Sequence, residues 1–461
     1  MTDQSVQDTT VTPESHSAAQ GHAPARSEKT PGFAWVILLV VYLVSLAAAM
    51  LWFSCPPMAE AIIGGYIMGP AHALAEATGD MSIMATAEAS INANFGMLMT
   101  WVAIGAIITA LIAIFLQSKM GIKWILILSA VCLVIGGAMS AMSGDNFTML
   151  SAARLVIGLG IGFVAVSATT AISMWFNDDK RALAMALWAT WVPVSILIEY
   201  NIIVPICLGG DFHMTWWVVT AIAVVALVLA VFVYRKPEGT QISTESTSLR
   251  SGVKYVTKRQ VICLCLCFFF YTFISHGFTT FNSTFFTNPV DAGGMGWDTI
   301  FANAILSIVT ASGIIAPIFG AILDRINFKH KYLMIVIGAI GYVLACCFGF
   351  KNLGIPMFVV YAVCMVIANG IMVACLRPMM PMLVGRGGVT AVTLGLALIT
   401  ILEFGGQLFT NFYGAAIDAW GFAVSSFAVG VPVAVLMVIC ALLVKPDKEL
   451  VEANEHAHAA H

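Results

Sequence analysis

Residues 33–53 read FAWVILLVVYLVSLAAAMLWF, a run without a single charged side chain. A helix of about 20 such residues is long enough to cross the hydrocarbon core of a bilayer. Because lipid offers no partner to an unpaired backbone N–H or C=O group, a spanning segment must satisfy both within its own helix. We therefore predict that this run is a transmembrane helix.

Apolar runs of similar length recur along the 461-residue chain, of which 60% is hydrophobic and only 10% charged. Soluble domains are about 45–50% apolar and about 25% charged, so an ordinary soluble enzyme, a disordered chain and a nucleic-acid-binding protein are excluded. We predict an all-α polytopic membrane protein. Its twelve predicted spans are residues 33–56, 92–117, 123–143, 148–175, 182–208, 215–234, 260–284, 297–322, 331–350, 354–380, 388–412 and 420–444.

The distribution of positive charge predicts the orientation. Of the 21 lysines and arginines, Arg154 and Arg377 lie inside predicted spans and Lys351 lies in a loop that follows an odd-numbered span. The remaining 18 lie in the tails, in loops that follow even-numbered spans or, for Lys123 and Lys331, at the first residue after such a loop. This bias predicts that both termini are cytoplasmic. The short loops favour a plasma or bacterial inner membrane. The long loop 55–91 lacks Lys and Arg and is predicted to face outside.

Composition and repetition divide the chain into two halves. The basic loops after spans 2 and 8 are similar at an offset of 206 residues, and the segments after spans 4 and 10 at an offset of 208. Such an internal duplication is typical of secondary transporters. The predicted parts are a disordered cytoplasmic tail (1–32), a six-helix bundle (33–235), a cytoplasmic linker (236–258), a second six-helix bundle (259–445) and a cytoplasmic tail (446–461).

Three motifs resemble those of the major facilitator superfamily over roughly residues 33–445. The best is GAILDRINFK at residues 320–329, which is similar to the family's Gly-x-x-x-Asp-Arg-x-Gly-Arg loop, with Asn327 in place of the second glycine. The second is the motif Arg154-x-x-x-Gly158-x-Gly160-x-Gly162 in span 4. The third is the WFNDDKRA run at residues 175–182. Near span 11, Gly414, Asp418 and Gly421 also fit the family pattern.

The resemblance implies a fold and a gate. It implies two six-helix bundles around a central cavity walled by spans 1, 4, 7 and 10, with spans 2, 5, 8 and 11 at the interface of the bundles. It also implies that Asp324 and Arg325 latch the cytoplasmic side, with Lys119 and Lys329 in the same gate. The first-half copy of the latch is predicted to be weak, because Ser118 replaces its aspartate.

Arg154 and Glu199 are charged residues inside predicted spans, where charge is rare and usually functional. At 1.5 Å per residue, Arg154 in span 4 lies roughly 9 Å and Glu199 in span 5 roughly 12 Å from the outer face. An ion pair that locks the N-terminal bundle is therefore favoured. A role in proton coupling or in an outer gate is the alternative.

Arg377 is predicted to bind the substrate and Glu403 to carry the proton, without a direct contact between them. A guanidinium in span 10 can bind a carboxylate or a similar oxyanion through two parallel hydrogen bonds. The alternative is that Arg377 snorkels to the cytoplasmic interface. Glu403 in span 11 is predicted to take up and release a proton, or else to bond to a neighbouring helix. Because the estimated depths of Arg377 and Glu403 differ by more than ~10 Å, no direct pair between them is expected.

Span 7 carries a mixed aromatic and polar run, YTFISHGFTTFN, at residues 271–282. Tyr271, Ser275 and Thr279 recur every four residues and share one helix face, while Asn282 lies on another. A wall that is both aromatic and polar is typical of binding sites, so these four residues are predicted to contact substrate. His276 is predicted to take part in proton coupling, with a simple hydrogen-bonded role in helix packing as the alternative.

These residues predict a secondary active transporter that works by alternating access on a small organic or inorganic anion, with proton coupling or exchange. One alternative is proton-driven efflux of drugs or other cationic or neutral solutes, although span 1 has no acidic residue to attract a cation. Another is a membrane solute sensor without flux.

The sequence contains no nucleophile–base pair, metal-ligand spacing or phosphate loop, so no enzyme activity, cofactor or metal is expected. The expected partners are a small solute, with an anion favoured, and the lipid bilayer, but no nucleic acid; the protein is expected to be a monomer.

Overall fold

The computed structural model describes residues 30–235, 249–384, 388–447 and 451. Most of each predicted tail and most of the predicted linker therefore lie outside the described residues. The described residues form helices joined by short turns, which confirms the all-α prediction. The first ten spans are Phe33–Phe53, Ile91–Met120, Ile122–Ala141, Phe147–Trp175, Leu183–Leu208, Met214–Phe232, Arg259–Thr287, Thr299–Leu323, Phe328–Phe348 and Ile355–Val384.

The last apolar stretch supplies two further spans. Leu394–Leu443 is 50 residues long, which as one helix would measure roughly 75 Å, more than twice the bilayer core. Gly421 leaves helical geometry within it, with φ 76° and ψ 168°. Span 11 is thus the helix Gly388–Gln407 and the part of Thr410–Ser425 before Gly421, and span 12 continues through Val431–Leu443. This positive φ suits glycine, because it has no Cβ to clash.

Glycines of the span 4 motif let spans 2 and 4 approach closely. A Cβ on Gly158 would collide with the backbone carbonyl of Val102, and one on Gly162 with that of Ala106. Small residues at such crossings are typical of membrane helix interfaces, because lipid gives no hydrophobic drive for helix association and tight packing must replace it. The motif therefore has a packing role inside the N-terminal bundle.

The segment between spans 1 and 2 is mostly helical and lies on one face of the protein. Its helical pieces are Pro56–Met58, Ala59–Ile62, Ile63–Met68, Gly69–Thr78 and Ser82–Glu88. The Tyr66 hydroxyl lies 2.5 Å from Ser143 Oγ and 3.0 Å from His213 Nε2. Those residues belong to the loops after spans 3 and 5, so the segment lies on the face opposite the chain termini. We call this the distal face, and the opposite one the proximal face.

The two halves meet along two pairs of spans. Span 2 packs against span 11, and span 5 packs against span 8. These are the interface spans that the family resemblance implies, so this expectation is confirmed. The arrangement leaves spans 1, 4, 7 and 10 to bring together the side chains considered next.

Candidate substrate and proton site

Arg377 of span 10 forms an ion pair with Glu403 of span 11, through Nη2 and Oε2. The side chains are 37% and 18% exposed, so neither is sealed inside the protein. The guanidinium carbon also lies 5.8 Å from the ring centroid of Phe268 in span 7, within cation–π range. The site therefore combines a cation, a carboxylate and an aromatic face from three spans.

The prediction that Arg377 and Glu403 do not pair is wrong. Counted along straight helices, Arg377 is roughly 10 Å from the proximal end of span 10 at Val384, and Glu403 roughly 22 Å from the start of span 11 at Gly388. Helical side chains, however, lean toward the N-terminus of their own helix. Span 10 runs toward the proximal face and span 11 away from it, so the two long side chains lean toward each other and close the gap.

Tyr271 and Asn282, predicted to contact substrate, are hydrogen-bonded within the C-terminal half. The Tyr271 hydroxyl donates to Asn369 Oδ1 at 2.5 Å, and Asn369 Nδ2 donates to Ser312 Oγ at 2.7 Å. Asn282 exchanges hydrogen bonds with the Tyr361 hydroxyl at 2.9 and 3.1 Å. Both therefore bind span 10 in this conformation. Thr279 is also buried, whereas Ser275 is half-buried on the Tyr271 face.

Asn369 was missed by sequence reasoning, although its hydrogen bonds with Tyr271, Ser312 and Tyr342 join span 10 to spans 7, 8 and 9. The only signal in the sequence is an amide in the otherwise apolar middle of span 10. A buried amide needs partners, so a search for such isolated polar residues would have found it.

His276 lies at the interface between the two halves. Its ring stacks on Trp52 at a centroid distance of 5.4 Å and on Phe53 at 5.8 Å, both from span 1. Phe404, which follows Glu403 in span 11, also packs on Trp52 at 5.6 Å. We call Trp52, Phe53, His276 and Phe404 the aromatic layer; it lies on the distal side of the Arg377–Glu403 pair.

Several polar atoms near the aromatic layer are buried without a hydrogen-bond partner. They include Nε1 of Trp52, Nδ1 of His276 and Oε1 of Gln407. Buried polar groups are normally satisfied, so each such atom calls for an explanation. In this conformation the protein itself covers all three atoms.

The predicted ion pair between Arg154 and Glu199 is wrong as a direct contact. Arg154 is fully buried, and its guanidinium donates to the backbone carbonyls of Leu51 and Trp52, the latter at 2.6 Å. It also donates to Ser54 Oγ at 3.2 Å. Both carboxyl oxygens of Glu199 are buried with no hydrogen-bond partner. Arg154 thus fastens the distal end of span 1 to span 4.

The described hydrogen bonds between the halves lie toward the distal face. Asn201 of span 5 donates to Ser307 of span 8 at 2.9 Å. Asn303 of span 8 donates to the Pro57 carbonyl at 2.9 Å, and Gln407 of span 11 to the Met99 carbonyl at 3.1 Å. The distal side is therefore closed in this conformation.

The predicted cytoplasmic gate lies at the proximal ends of the spans. Lys119, Arg325 and Lys329 are all exposed there. Asp324 occupies the last turn of its helix, and its side chain lies outside the described part of the chain. The gating role of these four residues stays a prediction.

A family profile and two relatives place this chain among known transporters. The sequence model of the Major Facilitator Superfamily matches residues 37–393, so the chain belongs to this superfamily. The arabinose-proton symporter of Escherichia coli K12 is 26% identical over 165 residues, which cover 34% of this chain and 35% of the symporter. The lysosomal dipeptide transporter MFSD1 of Pongo abelii is 22% identical over 269 residues, which cover 53% of this chain and 56% of that protein. The matches thus span about a third to a half of these relatives.

Solved structures of the superfamily share the fold. The xylose transporter XylE from E. coli, in a partially occluded inward-open conformation, has a TM-score of 0.67 at 15% identity, over 91% of this chain and 99% of that one. The nucleoside transporter NupG has a TM-score of 0.65 at 15% identity, over 89% of this chain and 100% of that one. At such identities the likeness concerns the fold alone.

Proposed function

We propose that the protein is a proton-coupled transporter of a small organic anion. In this proposal a substrate carboxylate replaces the Glu403 carboxylate as the partner of Arg377. The observation that carries this proposal is the Arg377–Glu403 ion pair, partly exposed between spans 10 and 11. A guanidinium binds one carboxylate as readily as another, so the pair offers a site where substrate and Glu403 compete.

The charge balance of this exchange couples the proton to the anion. In the empty transporter the charges of Arg377 and Glu403 cancel. When a monocarboxylate binds Arg377, Glu403 accepts a proton, and the charges at the site again sum to zero. Both forms avoid an uncompensated charge within the membrane, which would be costly. One proton therefore accompanies each monocarboxylate, and the cycle moves no net charge.

A neutral hydroxylated solute is the second candidate. The unpartnered polar atoms of Trp52, His276 and Gln407 could hold hydroxyl groups in a conformation that separates the rings of the aromatic layer. The arabinose-proton symporter is named for a sugar and a proton. In this case the Arg377–Glu403 pair would be a fixed structural contact and not part of the binding site.

The orientation remains part of the proposal. With both termini cytoplasmic, as the lysines and arginines predict, the closed distal face is the extracytoplasmic one. The described conformation would then open toward the cytoplasm.

Uptake into proteoliposomes under an imposed pH gradient tests the proposal. Lactate, succinate and L-arabinose serve as probes, with wild type, Arg377→Gln and Glu403→Gln. We expect the wild type to accumulate a carboxylate, Arg377→Gln to lose this uptake, and Glu403→Gln to exchange the carboxylate across the membrane without accumulating it.

A matched control is available in the same chain. Arg259 forms an exposed ion pair with Asp447 at 3.7 Å, away from the site, so Arg259→Gln should leave uptake unchanged. If L-arabinose alone accumulates, and Arg377→Gln still accumulates it, the second candidate replaces the first.

A further inference from the structure

Asp418, near the distal end of span 11, caps the first turn of span 2 in the opposite half. Its Oδ1 accepts from the backbone N–H of Asn92 at 3.0 Å and from Asn92 Nδ2 at 2.8 Å. Its Oδ2 accepts from the backbone N–H of Ala93 at 2.8 Å. One carboxylate therefore makes three hydrogen bonds across the interface of the halves.

The first N–H groups of a helix have no partner within it, and a carboxylate is the acceptor that the positive end of the helix favours. The residue next to span 2 that could cap it locally is Ser90. Its hydroxyl, however, donates to the Thr86 carbonyl at 3.1 Å and accepts from the Asn94 side chain at 3.1 Å, and not from a backbone N–H group of span 2. The first turn of span 2 is therefore capped by Asp418, which lies 326 positions along the chain from Asn92.

The backbones beneath this contact are unusually close. A Cβ on Gly414, one turn before Asp418, would collide with the Asn92 carbonyl. A Cβ on Gly96 would come within 2.8 Å of the Thr410 carbonyl. These two glycines bring span 11 near enough to span 2 for the carboxylate to reach the N–H groups. Asp418 therefore belongs to the close contact between spans 2 and 11 on the closed distal side.

We propose that Asp418 is a positioning residue that sets the balance between the distal-closed and distal-open states. When the distal side opens, spans 2 and 11 separate and all three hydrogen bonds are lost together. A variant without this carboxylate populates the distal-open state more, while the Arg377–Glu403 site keeps its residues. The proposal holds for either candidate substrate, because it concerns the gate and not the binding site.

Hydrogen–deuterium exchange of the full chain in nanodiscs tests this role, with wild type, Asp418→Asn and the control Asp145→Asn. Asp145 is an exposed distal carboxylate in the loop between spans 3 and 4 of the N-terminal half. The diagnostic peptides cover residues 199–203 and 299–307, which carry the Asn201–Ser307 contact and do not touch Asp418. Faster exchange in span 2 alone would reflect only the lost cap.

In Asp418→Asn we expect exchange in the diagnostic peptides to be about tenfold faster, the effect of losing one charge-assisted hydrogen bond. Peptides at the proximal ends of spans 5 and 8 should exchange more slowly, because alternating access closes that side. Asp145→Asn should match wild type. Asn92→Ala removes only the side-chain bond and should give a smaller shift in the same direction; it also serves if Asp418→Asn does not fold. Folded variants whose diagnostic peptides exchange at the wild-type rate would overturn the proposal.

Discussion

Arg377 and Glu403 reach each other because the helices that carry them run in opposite directions, so each side chain leans toward the other. The pair joins span 10 to span 11, which also carries Asp418 at its distal end. Protonation of Glu403 would thus release a contact on the same span that closes the distal side. The proposed proton site and the proposed gate share one helix.

Arg154 should be far more important for stability than Glu199. Replacing Arg154 with Met removes the charged hydrogen bonds to the Leu51 and Trp52 carbonyls and to Ser54 Oγ, and we expect a loss of about 3–5 kcal/mol in unfolding free energy. Replacing Glu199 with Gln removes no hydrogen bond and should change stability by less than about 1 kcal/mol. Thermal unfolding in detergent measures both; equal losses would instead indicate a true ion pair.

His276 should not be required for the proton coupling proposed for Glu403. His276→Phe keeps a ring to stack on Trp52 and Phe53 and removes both ring nitrogens. We expect the variant to keep the pH dependence of carboxylate uptake, because the ring lies in the aromatic layer and not at the ion pair. A flat pH profile with retained uptake would put His276 on the proton path.

Gly414→Ala should hinder closure of the distal side. The added Cβ would collide with backbone that cannot rotate away, and overpacking of this kind costs about 1–3 kcal/mol. We expect slower transport together with faster hydrogen exchange at the distal ends of spans 5 and 8. Gly64→Ala, where nothing lies within 4 Å of the new Cβ, is the matched control and should behave as wild type.

Asp211, in the distal loop between spans 5 and 6, should stabilise the fold only above acidic pH. The backbone N–H of His213 and the His213 ring both bond its carboxylate and lower its pKa below the ordinary value. Its contribution is therefore present above the unfolded-state pKa of about 4 and is lost as pH falls through the lower folded-state value. Melting temperatures of wild type and Asp211→Asn should differ at neutral pH and converge near pH 3; a constant difference would contradict this.

The sequence was sufficient to predict the spans and the interface between the halves. Long apolar runs report bilayer thickness directly, and the break at Gly421 falls close to the predicted start of span 12 at residue 420. The family resemblance correctly implied that spans 2 and 11 would meet. The spans depend on composition along the chain, which a sequence displays in full, whereas the interface was implied by the family resemblance.

Side-chain pairing was predicted poorly, since depth along a straight helix does not determine it. Arg377 and Glu403 differ in backbone depth and still meet, whereas Arg154 and Glu199 have similar depths and do not. The shortest hydrogen bonds of Arg154 are to backbone carbonyls, which carry no signature in the sequence. The bonds from Asp418 to span 2 depend on how the halves dock, which no local pattern specifies.

The exchange of Glu403 for a substrate carboxylate is tested most directly by ligand-induced thermal stabilisation of wild type, Arg377→Gln and Glu403→Gln. The probes are lactate, succinate, L-arabinose and D-xylose, since a ligand that binds the folded state raises its melting temperature. We predict that a carboxylate stabilises wild type more at low pH, stabilises Glu403→Gln with little dependence on pH, and leaves Arg377→Gln unchanged. Stabilisation by a sugar alone, equal in wild type and Arg377→Gln, would contradict the exchange.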